Sequence, residues 1–328
     1  MYLHDIHQFP IILLSKQMIK LFGLPVFIAV IAGIAFPYLA LSLMPLGVAF
    51  LFIQMLWSGI SIDWRRISSV MKRPFDITLG LFFLFFFFPL LQLLLAKLFI
   101  TDKQLLLGLI FSSLTPAAIV APFFSKTMDG DEEFSFILLV LSMALSPVII
   151  PLLLKFFAQS ILPIDFLPLF KMMLLLVTLP LIISYLIARF LPDIKRFISP
   201  HLALLNMLTL SVLIFILFGT AVGRLNLHYE QPREIFYLLF LAFVQDFGVL
   251  FLARLLLPWF FMASTANTLI VTLAMKNVAI AAGILLFYDP KASLAPALGF
   301  VAHAFLFSFI PIFKKWLIVK EKVGPTQR

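Results

Sequence analysis

Most of the chain consists of apolar runs separated by short polar connections. Ten such runs can be drawn, and each approaches the roughly 20 residues that a helix needs to cross the hydrocarbon of a bilayer. The predicted spans cover residues 22–43, 45–62, 76–100, 104–125, 132–155, 166–190, 198–219, 235–257, 260–287 and 292–313. The pattern predicts an all-α polytopic membrane protein, with residues 1–328 forming a single transmembrane domain.

Composition agrees with a membrane protein. The chain is 63% hydrophobic and 12% charged, whereas soluble domains carry about 25% charged residues. The net charge is +9. In a membrane protein the basic residues mainly reflect its orientation in the bilayer. We therefore expect the lipid bilayer, and no nucleic acid, as a partner. Cysteine is absent, which excludes a disulfide framework and thiol chemistry. The 21 prolines indicate several kinked or broken helices.

Lysine and arginine are distributed unevenly between the two predicted faces. With ten spans both termini share one side, and that side carries sixteen of the 24 basic residues, against six on the other. Lys171 and Lys276 fall inside spans. Because cytoplasmic loops carry the excess of positive charge, we expect a multi-pass protein of the inner or plasma membrane with both termini in the cytoplasm.

Ten spans divide into two groups of five, and an odd-numbered repeat must be inverted relative to its partner. Inverted repeats with broken helices at the bilayer midplane recur among transporters. The fourth span of each half is unusual. One contains Pro116 and Pro122, which each remove a backbone donor, and the other contains Lys276 near the middle of an apolar run. We therefore predict two inverted five-helix repeats with broken helices 4 and 9 crossing.

A lysine at the depth of Lys276 costs roughly 3 kcal/mol or more on insertion scales. A chain retains such a group when the ammonium faces a partner, a cavity or a substrate path. Asp246 in the eighth span is the predicted charge partner. An Asp246–Lys276 pair fits a purely structural role, in which the lysine never titrates, and also a mechanistic role, in which the pair breaks when substrate binds.

Three segments resemble motifs of the bile acid:sodium symporter family. They are Pro116-Ala-Ala-Ile-Val-Ala-Pro122, Asp129-Gly-Asp131 and Thr272-Leu-Ala-Met-Lys-Asn277. The resemblance implies a ten-span carrier of organic anions, with a panel at about residues 22–62 and 166–219 and a core at about 76–155 and 235–313. It also implies that substrate binds between panel and core and that alternating access moves it.

The departures from the family pattern concern the sodium ligands. The family holds two sodium ions with a Glu and a Gln in span nine, a Ser-Asn pair in span four, hydroxyls in span five and a Gln in span three. Only Ser135 keeps its hydroxyl in span five; the other positions are occupied here by Thr272, Lys276, Ala121, Pro122, Leu139 and Leu84. We therefore expect no sodium site, no metal site and no cofactor.

Lys276 suggests what replaces the sodium. An ammonium tethered at the crossing can neutralise the negative potential of unwound carbonyls and half-helix C-termini. If it loses and regains a proton, transport would be proton-coupled; otherwise it would be facilitative. A fixed positive charge favours a small anionic solute, such as a carboxylate. The predicted binding residues are Thr115, Pro116, Ala117, Ala118, Ser135, Thr272, Met275, Lys276 and Asn277.

Other classes of protein remain as alternatives. No HExxH, GxSxG or phosphate-binding glycine loop is present, so we expect no enzyme and no catalytic residues. A channel would need a continuous polar stripe, and the spans show isolated polar residues instead. A transport-inactive sensor or binding protein on the same fold is compatible with the lost sodium ligands. We interpret His303 in span ten as a hydrogen-bonded packing residue.

Overall fold

The structure, a computed structural model, describes residues 24–62, 64, 73–158, 165–229 and 232–320. These residues fold into helices, without any named strand in the described ranges. The predicted all-α class is therefore confirmed. In chain order the helices are α1 Leu24–Ala35, α2 Pro37–Ile60, α3 Pro74–Phe99, α4 Lys103–Leu114, α5 Ala121–Thr127, α6 Glu132–Ala158, α7 Phe166–Phe190, α8 Pro192–Ile198, α9 Leu202–Tyr229, α10 Arg233–Trp259, α11 Ala263–Ala274, α12 Val278–Tyr288 and α13 Leu294–Leu317.

Seven helices in the described ranges are long and apolar enough to cross a membrane. They are α2, α3, α6, α7, α8 continued by α9, α10 and α13. The helices α1, α4, α11 and α12 are apolar but shorter. The chain is therefore a polytopic membrane protein, while the ten-span inverted repeat stays a prediction.

Two helix-to-helix turns are made by a residue that precedes a proline. Phe36 has φ −128° and ψ 53°, and Leu191 has φ −126° and ψ 59°. The proline ring disfavours the α conformation of the residue before it, and Pro37 and Pro192 then occupy the first helical turn, where no backbone N–H is needed. The predicted boundary between spans one and two, at residue 44, was wrong, because the helix that starts at Pro37 continues to Ile60 through a 3-10 turn at Met44–Leu46.

The predicted spans four and nine are each divided into two half-helices. The first is interrupted between Leu114, the end of α4, and Ala121, the start of α5. The second is interrupted between Ala274, the end of α11, and Val278, the start of α12. Pro122 lies in the first turn of α5, so it starts a half-helix, and the break itself lies at Pro116.

Three helices in the described ranges contain a turn of π-helix. The turns span Phe83–Phe87 in α3, Leu174–Thr178 in α7 and Val244–Gly248 in α10. Such turns free backbone groups from the regular ladder and are frequent at functional sites. The turns in α3 and α10 both contribute groups to the surroundings of the helix breaks described below.

Helix α2 packs on α7 and α9. Helices α4, α10 and α12 pack on α13, and α5 and α11 pack on α6. Contacts of α9 with α13 and of α6 with α7 join these groups. The predicted division into panel and core stays a prediction.

Polar contacts hold the ends of the half-helices. At one end, Lys291 pairs with Asp102 at 2.8 Å, and Gln104 donates to Asp289 at 3.1 Å, which ties the start of α4 to the α12–α13 connection. Partial burial acts to raise the pKa of Asp102, but the contact with Lys291 and the amides of Leu105 and Gln104 lower that pKa below its ordinary value. At the other end, Arg73 pairs with Asp131 and Lys314 pairs with Asp129, each at 3.1 Å.

Candidate functional site

The two helix breaks face each other and exchange backbone hydrogen bonds. The amide of Ala118 donates to the carbonyl of Met275 at 2.7 Å, and the amide of Asn277 donates to the carbonyl of Pro116 at 2.9 Å. These bonds form an isolated antiparallel bridge between Ala117 and Lys276. Unwound backbone at membrane depth is stable when its polar groups are satisfied by neighbouring protein. We call residues 115–118 together with 275–277 the crossing.

The first break follows from Pro116. Thr115 adopts φ −60° and ψ 151°, an extended conformation that the proline after it favours. The hydroxyl of Thr115 then donates to the carbonyl of Ser112 at 2.7 Å, which satisfies one carbonyl at the end of α4. In the second break, Met275 has ψ 88° and Asn277 has ψ 71°, so neither continues a helix.

The ammonium of Lys276 donates to the carbonyl oxygen of Leu84 at 2.7 Å. Leu84 lies in the π-turn of α3, where the amide of Phe88 donates to Phe83. The next amide in the π pattern would belong to Pro89, which has no N–H. The helix therefore leaves the Leu84 carbonyl without its backbone donor, and the lysine supplies one.

The charge of Lys276 is buried and is compensated by backbone groups. Lys276 is only 2% exposed. None of the ion pairs formed among the described residues includes it. The C-terminal ends of α4 and α11 adjoin the crossing, and helix C-termini carry partial negative charge. The ammonium thus occupies a position where backbone carbonyls and helix ends provide the counter-charge.

The predicted charge partner of Lys276 contacts a different residue. Oδ2 of Asp246 lies 2.8 Å from Nδ1 of His303, and Asp246 is 1% exposed. Nε2 of His303 lies 2.8 Å from the carbonyl oxygen of Lys276. Asp246 is therefore linked to the backbone of Lys276 through His303, and not to its ammonium. His303, interpreted from sequence as a hydrogen-bonded packing residue whose partner could not be named, is buried and links Asp246 of α10 to the crossing.

Two of the predicted binding hydroxyls bind each other. The hydroxyls of Ser135 and Thr272 are 2.8 Å apart, and both residues are fully buried. The same helix as Ser135 also provides Ser142, whose hydroxyl accepts from the amide of Ala117 at 3.2 Å. These side chains hold α6 against α11 and the first break.

A cavity of about 560 Å³ borders the crossing. From the crossing, Ala118, Lys276 and Asn277 line it, and His303 lines it from α13. Of the other predicted binding residues, Thr115, Pro116, Ala117, Ser135, Thr272 and Met275 are buried and do not line it.

The opposite wall of this cavity comes from helices of the predicted panel, in which the sequence analysis named no binding residue. Gln54 and Ser58 of α2 and Asn206 of α9 line it, and the amide of Gln54 donates to Asn206 at 3.1 Å. Oε1 of Gln54 is buried without a hydrogen-bond partner among the described residues. The signal that could have found these positions is that each is a polar residue inside a mostly apolar span.

The charges around the cavity have one sign. Lys276 and Lys195 are the lysines that line it, and the described lining residues include no aspartate or glutamate. Apolar side chains such as Val26, Met55 and Phe300 complete the walls. A concave, mostly apolar site with a few convergent polar groups is the usual form of a small-molecule site. The arrangement can bind a solute that has an anionic group and an apolar body.

A membrane protein with two broken helices that meet through unwound segments, beside a solute-sized cavity, has the architecture of a secondary transporter. A sequence profile of the sodium bile acid symporter family matches residues 48–228. The chain therefore belongs to this family, which confirms the resemblance seen in its motifs. The family is one of symporters and not of enzymes, as the sequence predicted.

Several curated relatives are similar to parts of the chain. The "Uncharacterized sodium-dependent transporter YocS" of Bacillus subtilis (strain 168) is 24% identical over 169 residues, which is 52% of this chain and 53% of that protein. The "Probable sodium/metabolite cotransporter BASS3, chloroplastic" of Oryza sativa subsp. japonica is 25% identical over 160 residues, 49% of this chain and 38% of that protein. The "Sodium/bile acid cotransporter 4" of Mus musculus is 30% identical over 112 residues, 34% of this chain and 26% of that protein. The chain thus spans about half or less of the length of these relatives.

Proposed function

We propose that this protein is a sodium-independent secondary transporter of a small organic anion. The observation that carries the proposal is the position of the Lys276 ammonium, which is hydrogen-bonded to the Leu84 carbonyl beside the crossing. In the family pattern quoted above, Lys276 stands at the position of the span-nine Gln and Leu84 lies near that of the span-three Gln, both of which are sodium ligands in the family. The tethered ammonium of Lys276 would then take the electrostatic role that a sodium ion has in the family.

Electrostatics support this assignment. The ends of α4 and α11 direct carbonyl groups toward the crossing, and a positive charge there is favourable. An ammonium within about 4 Å of a sodium ion would repel it by about 4 kcal/mol at an effective dielectric constant of about 20. A sodium ion and the Lys276 ammonium therefore compete for the same region.

The proposed substrate is an organic anion with an apolar body, such as a carboxylate. The cavity volume of about 560 Å³ lies in the range of about 300–1,000 Å³ that small-molecule sites occupy. Lys276 and Lys195 would attract the anionic group, and Oε1 of Gln54 offers an acceptor for a hydroxyl or amide of the solute.

Transport would proceed by alternating access. The cavity lies between α2 and α9 on one side and the crossing with α13 on the other. Movement of these two sets relative to each other would expose the crossing to opposite sides of the membrane. The excess of basic residues supports an inner or plasma membrane location with both termini in the cytoplasm.

The test is flux in proteoliposomes that contain the purified full chain. Counterflow of a labelled bile acid and of a set of labelled mono- and dicarboxylates is measured in sodium chloride and in choline chloride. We expect saturable counterflow of at least one anion, equal in the two salts, and a loss of at least tenfold in Lys276→Gln. Lys171→Gln is the matched control, because Lys171 is an exposed lysine of α7, and it should retain the wild-type rate.

Other outcomes separate the alternatives. Counterflow that requires sodium would overturn sodium independence and leave the carrier assignment intact. Saturable binding without flux would identify the transport-inactive sensor. Flux without counterflow or saturation would identify a channel.

A further inference from the structure

The imidazole of His303 is surrounded by oxygen atoms that accept hydrogen bonds. Nε2 faces the carbonyl of Lys276 at 2.8 Å, and Nδ1 faces the carbonyl of Gly299 at 3.2 Å and Oδ2 of Asp246 at 2.8 Å. A neutral imidazole has one N–H and one bare nitrogen. With an ionised Asp246, one ring nitrogen would direct its lone pair at an oxygen acceptor, which is repulsive.

One additional proton removes this conflict. It resides either on the imidazole, which then faces a carboxylate, or on Asp246, which then donates to Nδ1. Both oxygens of Asp246 are buried and have no well-aligned hydrogen bond among the described residues. An ionised carboxylate beside a neutral imidazole in that buried position would be costly. The geometry therefore fits a pair of side chains that shares one proton.

We propose that Asp246 and His303 form a proton-binding site whose occupancy controls the hydrogen bond between His303 and the crossing. With the proton bound, Nε2 keeps its hydrogen and donates to the Lys276 carbonyl. When the proton leaves, the remaining hydrogen moves to Nδ1, which has two acceptors. Nε2 then presents a lone pair to the Lys276 carbonyl, and the bond is lost.

The surroundings give this pair access to protons, and the charged groups around it can be named. His303 lines the cavity, so a proton can exchange with water there. Lys276 is the ionisable residue of the crossing, and its ammonium is held by Leu84. The remaining described charged side chains on the helices packed around the pair lie toward the helix ends: Asp76 and Lys97 on α3, Lys103 on α4, Arg224 on α9, Arg233, Glu234 and Arg254 on α10, and Lys314 and Lys315 on α13.

The proton-binding site itself is argued from geometry, and only its role rests on the proposed function. In a transporter, a proton bound there would be the coupling ion. Proton loss would weaken the attachment of the crossing to α13 and so favour its movement relative to the cavity. Proton binding would restore the attachment. Lys276 in this scheme is a fixed charge, and the Asp246–His303 pair is the group that titrates.

The test is ¹⁵N NMR of the full chain labelled at histidine, without substrate. The chain has five histidines, and the resonances of His303 are those that disappear in His303→Gln. At low pH we expect Nε2 to be protonated; on raising the pH, His303 should change to the Nδ1–H tautomer with Nε2 bare. In Asp246→Asn this change should vanish, because the amide cannot take up the proton. Asp193→Asn, an exposed aspartate of α8, is the matched control and should leave the change intact.

If His303 keeps one tautomer throughout the pH range in which the protein stays folded, or if its change persists in Asp246→Asn, the proposal is overturned. The wild-type titration decides the first point even if a variant does not fold. Because the measurement uses no substrate, absence of transport would leave its outcome unaffected, so the two proposals can fail separately.

Discussion

The ammonium of Lys276 and the carbonyl oxygen of Leu84 form a hydrogen bond of 2.7 Å although 192 residues separate them in the chain. The bond joins the second helix break to the π-turn of α3. It depends on two features of the sequence: a lysine at the break, and a proline at position 89 that cannot donate to Leu84.

Pro89→Ala should reduce the stability cost of removing the Lys276 ammonium. Alanine restores an N–H that can bond to Leu84, so the carbonyl keeps a donor after Lys276→Met. A buried carbonyl without a donor costs about 1–3 kcal/mol. The measurement is a double-mutant cycle of unfolding in detergent. We expect Lys276→Met to lower the free energy of unfolding by about 1–3 kcal/mol more in the wild-type background than in the Pro89→Ala background. Additive effects of the two substitutions would show that they do not act on the same carbonyl.

Sodium should have no specific effect on stability. The positive charge at the crossing is already supplied by Lys276, and a second cation nearby would be repelled. We expect equal melting temperatures in sodium chloride and in choline chloride at the same ionic strength. A ligand that binds only the folded state raises stability, so a sodium-specific increase would reveal a surviving sodium site and contradict this interpretation.

The sequence was informative where one residue type decides the local structure. Pro116 and the buried charge of Lys276 indicated the two breaks, and the structure places them against each other. The partner of Lys276 could not be predicted, because it is a backbone carbonyl and any residue type could carry it. Leu84 becomes a partner only through the π-turn and Pro89.

Pairing between distant side chains was also beyond the sequence. Asp246 could be matched with any buried cation, and Lys276 was the most evident one. The packing of α10 against α13 brings Asp246 to His303 instead. Similarly, the boundary at Phe36–Pro37 was missed because apolar residues continue through it, and the local rule for a residue before proline outweighed the length of the apolar run.

The pair formed by Asp102 and Lys291 should contribute stability that depends on pH. The pKa of Asp102 is lowered in the folded state, so its contribution is complete above the ordinary pKa of an aspartate and is lost as the pH falls through the lowered value. Asp102→Asn should therefore destabilise the protein at neutral pH, and the difference from wild type should disappear in acid. Asp193→Asn is the control, because Asp193 is 94% exposed. A difference that persists below the lowered pKa of Asp102 would show that the charge is not its cause.

Gly108→Ala should destabilise the packing of α4. A Cβ at this position would collide with the backbone carbonyl oxygen of Ala292, which cannot rotate away. The α4 helix would have to move from the α12–α13 connection. Gly47→Ala is the control, since its nearest neighbour, in the side chain of Ile216, would be 3.5 Å away. We expect a lower melting temperature for Gly108→Ala and an unchanged or higher one for Gly47→Ala, because alanine favours helix. Equal stabilities would mean that the approach of α4 to Ala292 is not close.

Ser58→Phe should block solute binding and leave the fold intact. Ser58 is 1% exposed and lines the cavity of about 560 Å³ opposite the crossing. A phenylalanine ring directed into that cavity would occupy the space of the apolar part of the solute, and the empty volume would accommodate it without movement of α2. Ser42→Phe adds the same ring on an exposed face of the same helix. In the counterflow assay we expect Ser58→Phe to lose at least tenfold of the flux and Ser42→Phe to retain it, with similar melting temperatures for both. Full flux in Ser58→Phe would place the solute path elsewhere, because Ser58 lines the same cavity as Gln54, Asn206 and Lys276.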